Sequence, residues 1–178
     1  MEINRSNQII EEYAANCLDE DELKTFLSFL VFLSKNKFGK TKTGRKVNGS
    51  WAILYKNKMI GSFVLGKIDD YEQRNSWSIR FFNLFSRNEW FEKCEKHLSS
   101  EMKNFVLTNI NTTSRCCAEG KCHSVENKII LGKMFADKVC SCRPIKLNNP
   151  DGKTLEYAKK LALIGKNIIV ETVENNKK

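Results

Sequence analysis

The chain has 178 residues, of which 41% are hydrophobic and 10% aromatic, which excludes a disordered polypeptide and suffices for one domain with a sizeable core. Its formal net charge of +9 would attract polyanions at long range. The tight apolar run at 26–33 is too short to cross a bilayer, and the polar N-terminus has no signal-peptide core. We therefore expect a cytoplasmic protein with reduced thiols and no membrane contact.

The first 34 residues predict two helices. Apolar residues follow helical spacing from Ile9 to Cys17. Asp19 has the position of an N-cap, with Glu22 three residues later as in a capping box, so a second helix is predicted over about 20–34. Apolar side chains cover so much of this second helix that we expect it in the middle of the core.

After residue 47 the hydrophobic pattern changes to alternation, which predicts an antiparallel sheet of at least three strands. Two strands are expected over Ser50–Lys56 and Met59–Gly66, joined by a hairpin turn at 56–58, and a third over Ser76–Asn83. Ser86 and Glu89 resemble a second capping box, which predicts a long amphipathic helix that extends to about residue 105.

The last third of the chain is less regular. Residues 111–127 are rich in Ser, Thr, Asn and Gly, which predicts a loop, and a short strand is expected over Lys128–Phe135. Asn149 and Pro150 are typical of the cap and first position of a C-terminal helix. The order of helices, strands and helices indicates one α+β domain over 1–178. Its parts are helices at 1–34, a sheet with a helix at 47–110, a cysteine-rich segment at 111–148 and a helix at 149–170.

Five of the seven cysteines and one of the two histidines lie between residues 116 and 142. Zinc takes four thiolate or imidazole ligands, and a structural zinc ion would join the irregular loop to the strand after it. The intervals match no standard zinc motif, so a cluster without metal, or reactive thiols beside Arg115 and Lys121, stay open as alternatives. The predicted zinc ligands are Cys117, Cys122, Cys140 and Cys142, with Cys116 and His123 in reserve.

Alternation along the three strands places five aromatic residues on one face of the sheet. If helices cover this face, the rings form the core. If the face is open, it makes a pocket for a planar or apolar small molecule, or a platform on which single-stranded nucleic acid stacks. These candidate ligand-binding residues are Trp51, Tyr55, Phe63, Trp77 and Phe81.

Residues 35–68 carry nine basic and no acidic side chains. The densest part, 35–46, is predicted to be a loop that attracts phosphate or carboxylate groups, or simply a solvated loop. Gly39-Lys40-Thr41 resembles the end of a phosphate-binding P-loop, but Ser34 stands where that motif needs glycine, and a helix precedes it. The candidate anion-binding residues are Lys35, Lys37, Lys40, Lys42, Arg45 and Lys46.

These features favour a binding domain over an enzyme, because the sequence offers no nucleophile with its base and no acid–base pair. A zinc site in the cysteine cluster is the first hypothesis. A small-molecule pocket on the aromatic sheet face is the second. A nucleic-acid accessory protein that uses the basic segment is the third.

Overall fold

The computed structural model describes residues 2–43, 49–66, 76–81, 93–110, 125–140 and 145–175. Within these ranges the predicted α+β fold is confirmed. The helices are α1 (Glu2–Cys17), α2 (Glu20–Lys35), α3 (Ser100–Thr108) and α4 (Gly152–Asn175). The strands are β1 (Gly39–Lys42), β2 (Ser50–Tyr55), β3 (Lys58–Leu65), β4 (Trp77–Phe81), β5 (Val125–Ile130), β6 (Lys133–Cys140) and β7 (Ile145–Asn148).

Five strands form one antiparallel sheet in the order β1-β2-β3-β4-β7. The predicted β2–β3 hairpin is confirmed. Its two-residue turn consists of Lys56 and Asn57, whose φ values of 47° and 59° are the left-handed pair that a type I′ turn needs. Strand β7, which the sequence analysis did not predict, completes the sheet beside β4.

Strands β5 and β6 form a separate two-stranded sheet, so the single strand predicted over 128–135 is wrong. The turn between them falls at Leu131 and Gly132, which have φ values of 49° and 77°. Leucine is not a usual turn residue, and its side chain packs against the hydrophobic core. Packing therefore selects a turn that local sequence does not indicate.

Helix α2 lies in the middle of the core, as predicted. Asp19 caps it, because its side chain accepts the N–H of Glu22 at 3.0 Å. The rings of Phe26 and Phe29 are fully buried and lie 5.4 and 6.4 Å from the ring of Phe63 on β3, centroid to centroid. The N-cap therefore begins the helix at the register that turns its aromatic side chains onto the sheet.

Helix α4 packs on α2 and β3, and its predicted apolar stripe is buried. The stripe consists of Leu155, Ala158, Leu161, Ala162 and Ile164. The cap predicted at Asn149 is wrong, because the helix begins at Gly152. Asn149 instead joins β7 to β4: its side-chain oxygen accepts the N–H of Trp77, and its own N–H donates to the Trp77 carbonyl, both at 2.8 Å.

The long helix predicted from residue 86 is interrupted in its described part. A helical turn at 93–95 ends before Leu98. Ser99 then caps α3, since its hydroxyl accepts the N–H of Met102 at 3.2 Å. A serine at this position offers the backbone an alternative to continuing the helix. The predicted start at Ser86 and Glu89 lies outside the described residues.

Candidate functional site

Four of the five aromatic residues predicted on one sheet face are buried in the core. The exposed fraction is 4% for Trp51, 0% for Phe63 and Phe81, and 1% for Trp77. Trp51 stacks on Phe63 at 5.5 Å between ring centroids, and Phe26 of α2 meets Trp77 edge-on at 5.1 Å. The sequence allows a covered and an open face, and the covered one is observed. A ligand would have to displace α2 to reach these rings.

Tyr55 is the exception, because its side chain is only partly buried. Its ring lies 6.0 Å from the ring of Phe38, which lies 6.2 Å from Phe32 in the last turns of α2. Phe38 itself is 4% exposed. These three rings join the end of α2 to the end of β2 near the edge of the sheet.

The turn after α2 places an exposed lysine beside these rings. Lys37 has a φ of 62°. Its N–H donates to the Ser34 carbonyl at 3.0 Å, and the N–H of Phe38 donates to the Leu33 carbonyl at 2.9 Å. This pair of bonds is a Schellman motif, and the contact between Phe38 and Phe32 is the hydrophobic contact that accompanies it. Glycine is the usual residue at the left-handed position of this motif, and here it is lysine.

Helix α4 contributes two further lysines. Lys159 and Lys166 are seven residues apart and so lie on one face of the helix. The ammonium group of Lys166 donates to the Asn36 carbonyl at 3.1 Å and lies 5.1 Å from the centre of the Tyr55 ring. Lys159 lies 6.0 Å from the ring of Phe32. Lys166 thus satisfies a carbonyl at the end of α2 and fastens α4 to it.

The β2–β3 turn brings two more lysines to the same place. The ammonium group of Lys56 lies 5.9 Å from the Tyr55 ring centre, and Lys58 is paired with Tyr55 across the hairpin. Both lysines are exposed, as Lys35 and Lys37 are. We call the following set the lysine surface: Lys35, Lys37, Lys56, Lys58, Lys159 and Lys166.

The described part of the basic segment, 35–43, is not the loop that the sequence predicts over 35–46. Lys35 ends α2, and Gly39–Lys42 forms edge strand β1 on β2. Lysines suit an edge strand because their charge opposes pairing with another chain. Lys42 is exposed. Arg45 and Lys46 lie outside the described residues.

Lys40 differs from the other described candidate anion-binding residues because its side chain is partly buried and hydrogen-bonded. Its ammonium group donates to the Ser34 hydroxyl at 3.0 Å. Burial lowers the pKa of Lys40, and the negative charge of Glu11 offsets part of that effect. Lys40 is therefore less available to a partner than the four exposed lysines Lys35, Lys37, Lys56 and Lys58.

The lysine surface keeps most of its charge uncompensated. Lys35, Lys37, Lys56 and Lys58 form no ion pair with any residue that the structure describes. Lys159, whose side chain is 18% exposed, pairs with Glu156 at 2.7 Å. Four exposed lysines therefore lie in or directly beside two turns that meet through the Phe38–Tyr55 contact, and α4 adds two less exposed lysines near the same rings.

This arrangement suits phosphate groups better than bases. An ammonium group is a compact donor that accepts many approach directions, whereas the arginine fork that reads base edges does not occur among the described residues of this surface. The rings of Phe32, Phe38 and Tyr55 are covered or partly covered, so base stacking is not what they offer. The surface can hold a row of phosphates without reading sequence.

Sequence analysis did not single out four members of this surface. Lys56 and Lys58 lie in the same acid-free stretch, but their pattern indicates a hairpin turn first. The seven-residue interval between Lys159 and Lys166 does signal a shared helix face. No local pattern indicates that this face meets the end of α2.

The predicted zinc ligands fall almost wholly outside the described residues. Cys116, Cys117, Cys122, His123 and Cys142 do so entirely, and the structure places only the backbone of Cys140, at the end of β6. Within the part of the chain that the structure describes, no group of three His, Cys, Asp or Glu side chains is arranged to hold a metal ion. The zinc site therefore stays a prediction.

Comparison with protein-family models, with curated proteins and with solved structures finds no match for the chain. Among the described helices, none combines the length and apolar character needed to cross a membrane.

Proposed function

We propose that this chain is a nucleic-acid-binding domain that holds the sugar–phosphate backbone on the lysine surface. The observation that carries the proposal is that the α2–β1 and β2–β3 turns, which hold or adjoin four exposed lysines, meet through the contact between Phe38 and Tyr55. Lysine–phosphate contacts supply sequence-independent affinity. The net charge of +9 adds long-range attraction.

The lack of several exposed apolar side chains near the described lysines favours nucleic acid over an anionic lipid surface. Peripheral membrane binding joins basic residues to exposed apolar side chains that enter the bilayer. Here Phe38 is 4% exposed beneath the lysines. Val31, one turn before Lys35 on α2, is 52% exposed, and a single exposed apolar residue is ordinary for a protein surface.

The test measures the affinity of the full chain for a labelled mixed-sequence oligonucleotide, single-stranded and duplex, between about 50 and 200 mM salt. Four phosphate contacts predict that log K falls with log salt with a slope of about −3. Absence of binding at low salt, or binding that salt does not weaken, would contradict the proposal. Binding to phosphatidylserine vesicles without binding to either oligonucleotide would contradict it too.

A cytoplasmic location belongs to this proposal. An odd number of cysteines, seven, does not suit a fully paired disulfide framework. Cys17, a described residue on α1, is a free thiol, as a reducing compartment would keep it.

A structural zinc site in the cysteine cluster is a second proposal, which one backbone observation favours. In the β5–β6 hairpin Val125 is paired with Cys140. Cys122 and His123 come three and two residues before Val125, and Cys142 comes two residues after Cys140. Three of the four predicted ligands, Cys122, Cys140 and Cys142, therefore lie within three residues of one paired position, which is at most ~10 Å of chain. The fourth, Cys117, comes eight residues before Val125.

Elemental analysis of protein purified without a metal-affinity tag tests the zinc site. About one zinc ion per chain is expected, with loss of the metal and a lower melting temperature in Cys122→Ser. Cys17→Ser is the matched control, because Cys17 lies on α1 and outside the cluster. A wild-type chain without zinc, or a Cys122→Ser variant that keeps it and melts like the wild type, would contradict the proposal.

A further inference from the structure

We propose that Lys37 and Lys56 hold strained backbone positions because their ammonium groups are the phosphate contacts of the lysine surface. The protein on this view gains binding at a cost in fold stability. The inference rests on the proposed function and adds to it, because it says which lysines matter most and predicts an opposite effect on stability.

The first observation is the backbone conformation at two separate turns. Lys37 has a φ of 62° and Lys56 a φ of 47°. The left-handed region is unfavourable for residues with a Cβ atom, and glycine or asparagine usually occupies it. Glycine is the common residue at this position of a Schellman motif, and glycine or asparagine at this position of a type I′ turn. Lysine is therefore a poor choice for the fold at both positions.

The second observation is that neither lysine side chain makes a strong contact with a described residue that would offset the unfavourable backbone conformation. Both are exposed, and neither forms an ion pair with a residue that the structure describes. The nearest ring to the ammonium group of Lys56 is the partly exposed Tyr55, at 5.9 Å from its centre, a weak contact at such a site. The hydrogen bonds of the two turns hold these backbone positions in place, and unfavourable positions held in this way concentrate at functional sites.

The third observation is where the two residues lie. The described part of the chain has five non-glycine residues with positive φ. Asn57 and Asn149 are of the type that tolerates this conformation, and Leu131 packs against the core. The remaining two are both lysines, and their turns meet through the Phe38–Tyr55 contact at 6.0 Å. Two unrelated turns thus carry the same unfavourable residue on the same surface.

The experiment compares Lys37→Gly and Lys56→Gly with the wild-type full chain. Each glycine relieves the left-handed conformation, so the melting temperature should rise by about 2–4 °C. Each also removes one phosphate contact, so affinity for the labelled oligonucleotide should fall several-fold and the salt slope should shrink by about 0.7–0.9. Higher stability with weaker binding is the expected combination.

Two matched variants distinguish the effect of the backbone conformation from the effect of the lysine charge. Asn57→Gly changes the neighbouring left-handed residue of the same turn without removing a charge, so it should bind like the wild type. Its melting temperature should rise less than that of Lys56→Gly, because asparagine already tolerates this conformation. Lys35→Ala removes a charge from a helical residue of the same surface, so it should bind more weakly with no rise in melting temperature.

The outcomes distinguish this inference from the proposed function. If the wild type binds the oligonucleotide and both glycine variants bind equally well, the inference is overturned while the proposed function stands. If either glycine variant melts lower than the wild type, the claim of strain is overturned. If the wild type does not bind at all, the proposed function fails first.

Discussion

The indole N–H of Trp77 donates to the carboxylate of Glu22 at 2.6 Å and so joins strand β4 to the first turn of α2. Trp77 is 1% exposed, and a buried indole N–H without a partner is unfavourable. Glu22 occupies the position from which a capping-box glutamate usually reaches back to the N-cap. Here its carboxylate instead accepts the buried indole N–H, while the Asp19 side chain caps the helix.

We expect Glu22→Ala to lower the free energy of unfolding by about 1.5–3 kcal/mol, because it removes a charged acceptor from a buried donor. Denaturant titration measures the change. Glu20→Ala is the control, since Glu20 is exposed in the same helical turn and its loss should change stability by less than about 0.5 kcal/mol. Equal losses in the two variants would show that helix-terminal charge, not the bond to Trp77, is what matters.

A second prediction concerns Asn149, which binds both backbone polar groups of Trp77 and has a φ of 39°. Asn149→Ala should destabilise the protein by about 1–3 kcal/mol, because it removes the side-chain acceptor and places a Cβ residue in a left-handed position. Asn149→Gly removes the acceptor alone, so its loss should be smaller. Thermal melting compares the two, and a glycine variant less stable than the alanine variant would contradict this account.

A third prediction follows from the burial of Cys94, which raises the pKa of its thiol from 9.0 to about 12. The folded chain holds this proton while the unfolded chain loses it, so Cys94 makes the folded state less favourable as the pH rises from 9.0 toward about 12. The stability of the wild type relative to Cys94→Ala should therefore be constant below this range and decline within it. Denaturant titrations between about pH 8 and 10.5 measure the difference.

Lysines also titrate at high pH, and the comparison with Cys94→Ala removes their shared contribution. A difference between the two proteins that stays constant to the top of the range would show that the Cys94 thiol ionises as easily in the folded state as in the unfolded one. Alkylation gives an independent measure, because the native thiol should react far more slowly than the denatured one.

Local signals account for the parts of the fold that the sequence predicts. The Asp19 cap, the turn at Lys56 and Asn57, and the apolar stripe of α4 each depend on residues within a few positions of one another. Several of the predictions that are wrong depend on distant partners. Asn149 has the type of a helix cap, but Trp77, 72 residues away, takes its hydrogen bonds. Strand β1 has no apolar side chain and β7 alternates over only four residues, so both are weak local signals, and they pair with the free edges of β2 and β4.

The same distinction applies to the lysine surface. The charge run is visible in the sequence, and it includes Lys35 and Lys37. The bond between Lys166 and the Asn36 carbonyl spans 130 residues, so the contribution of α4 requires the fold. The left-handed conformation of Lys37 also cannot be predicted from the sequence, because no glycine or asparagine occupies that position.

The most direct test of the central claim removes four exposed charges from the lysine surface and compares the effect with four removed elsewhere. The test variant replaces Lys35, Lys37, Lys56 and Lys58 with alanine. The control replaces Lys24, Lys96, Lys103 and Lys160, which are described residues outside the lysine surface, and has the same net charge.

The measurement is the affinity of the two variants and the wild type for one labelled oligonucleotide across a salt series. We predict that the test variant loses most of the wild-type salt slope of about −3, while the control keeps it with a modest uniform loss of affinity. Equal losses in the two variants would show that binding reflects net charge alone and would contradict the assignment of the lysine surface.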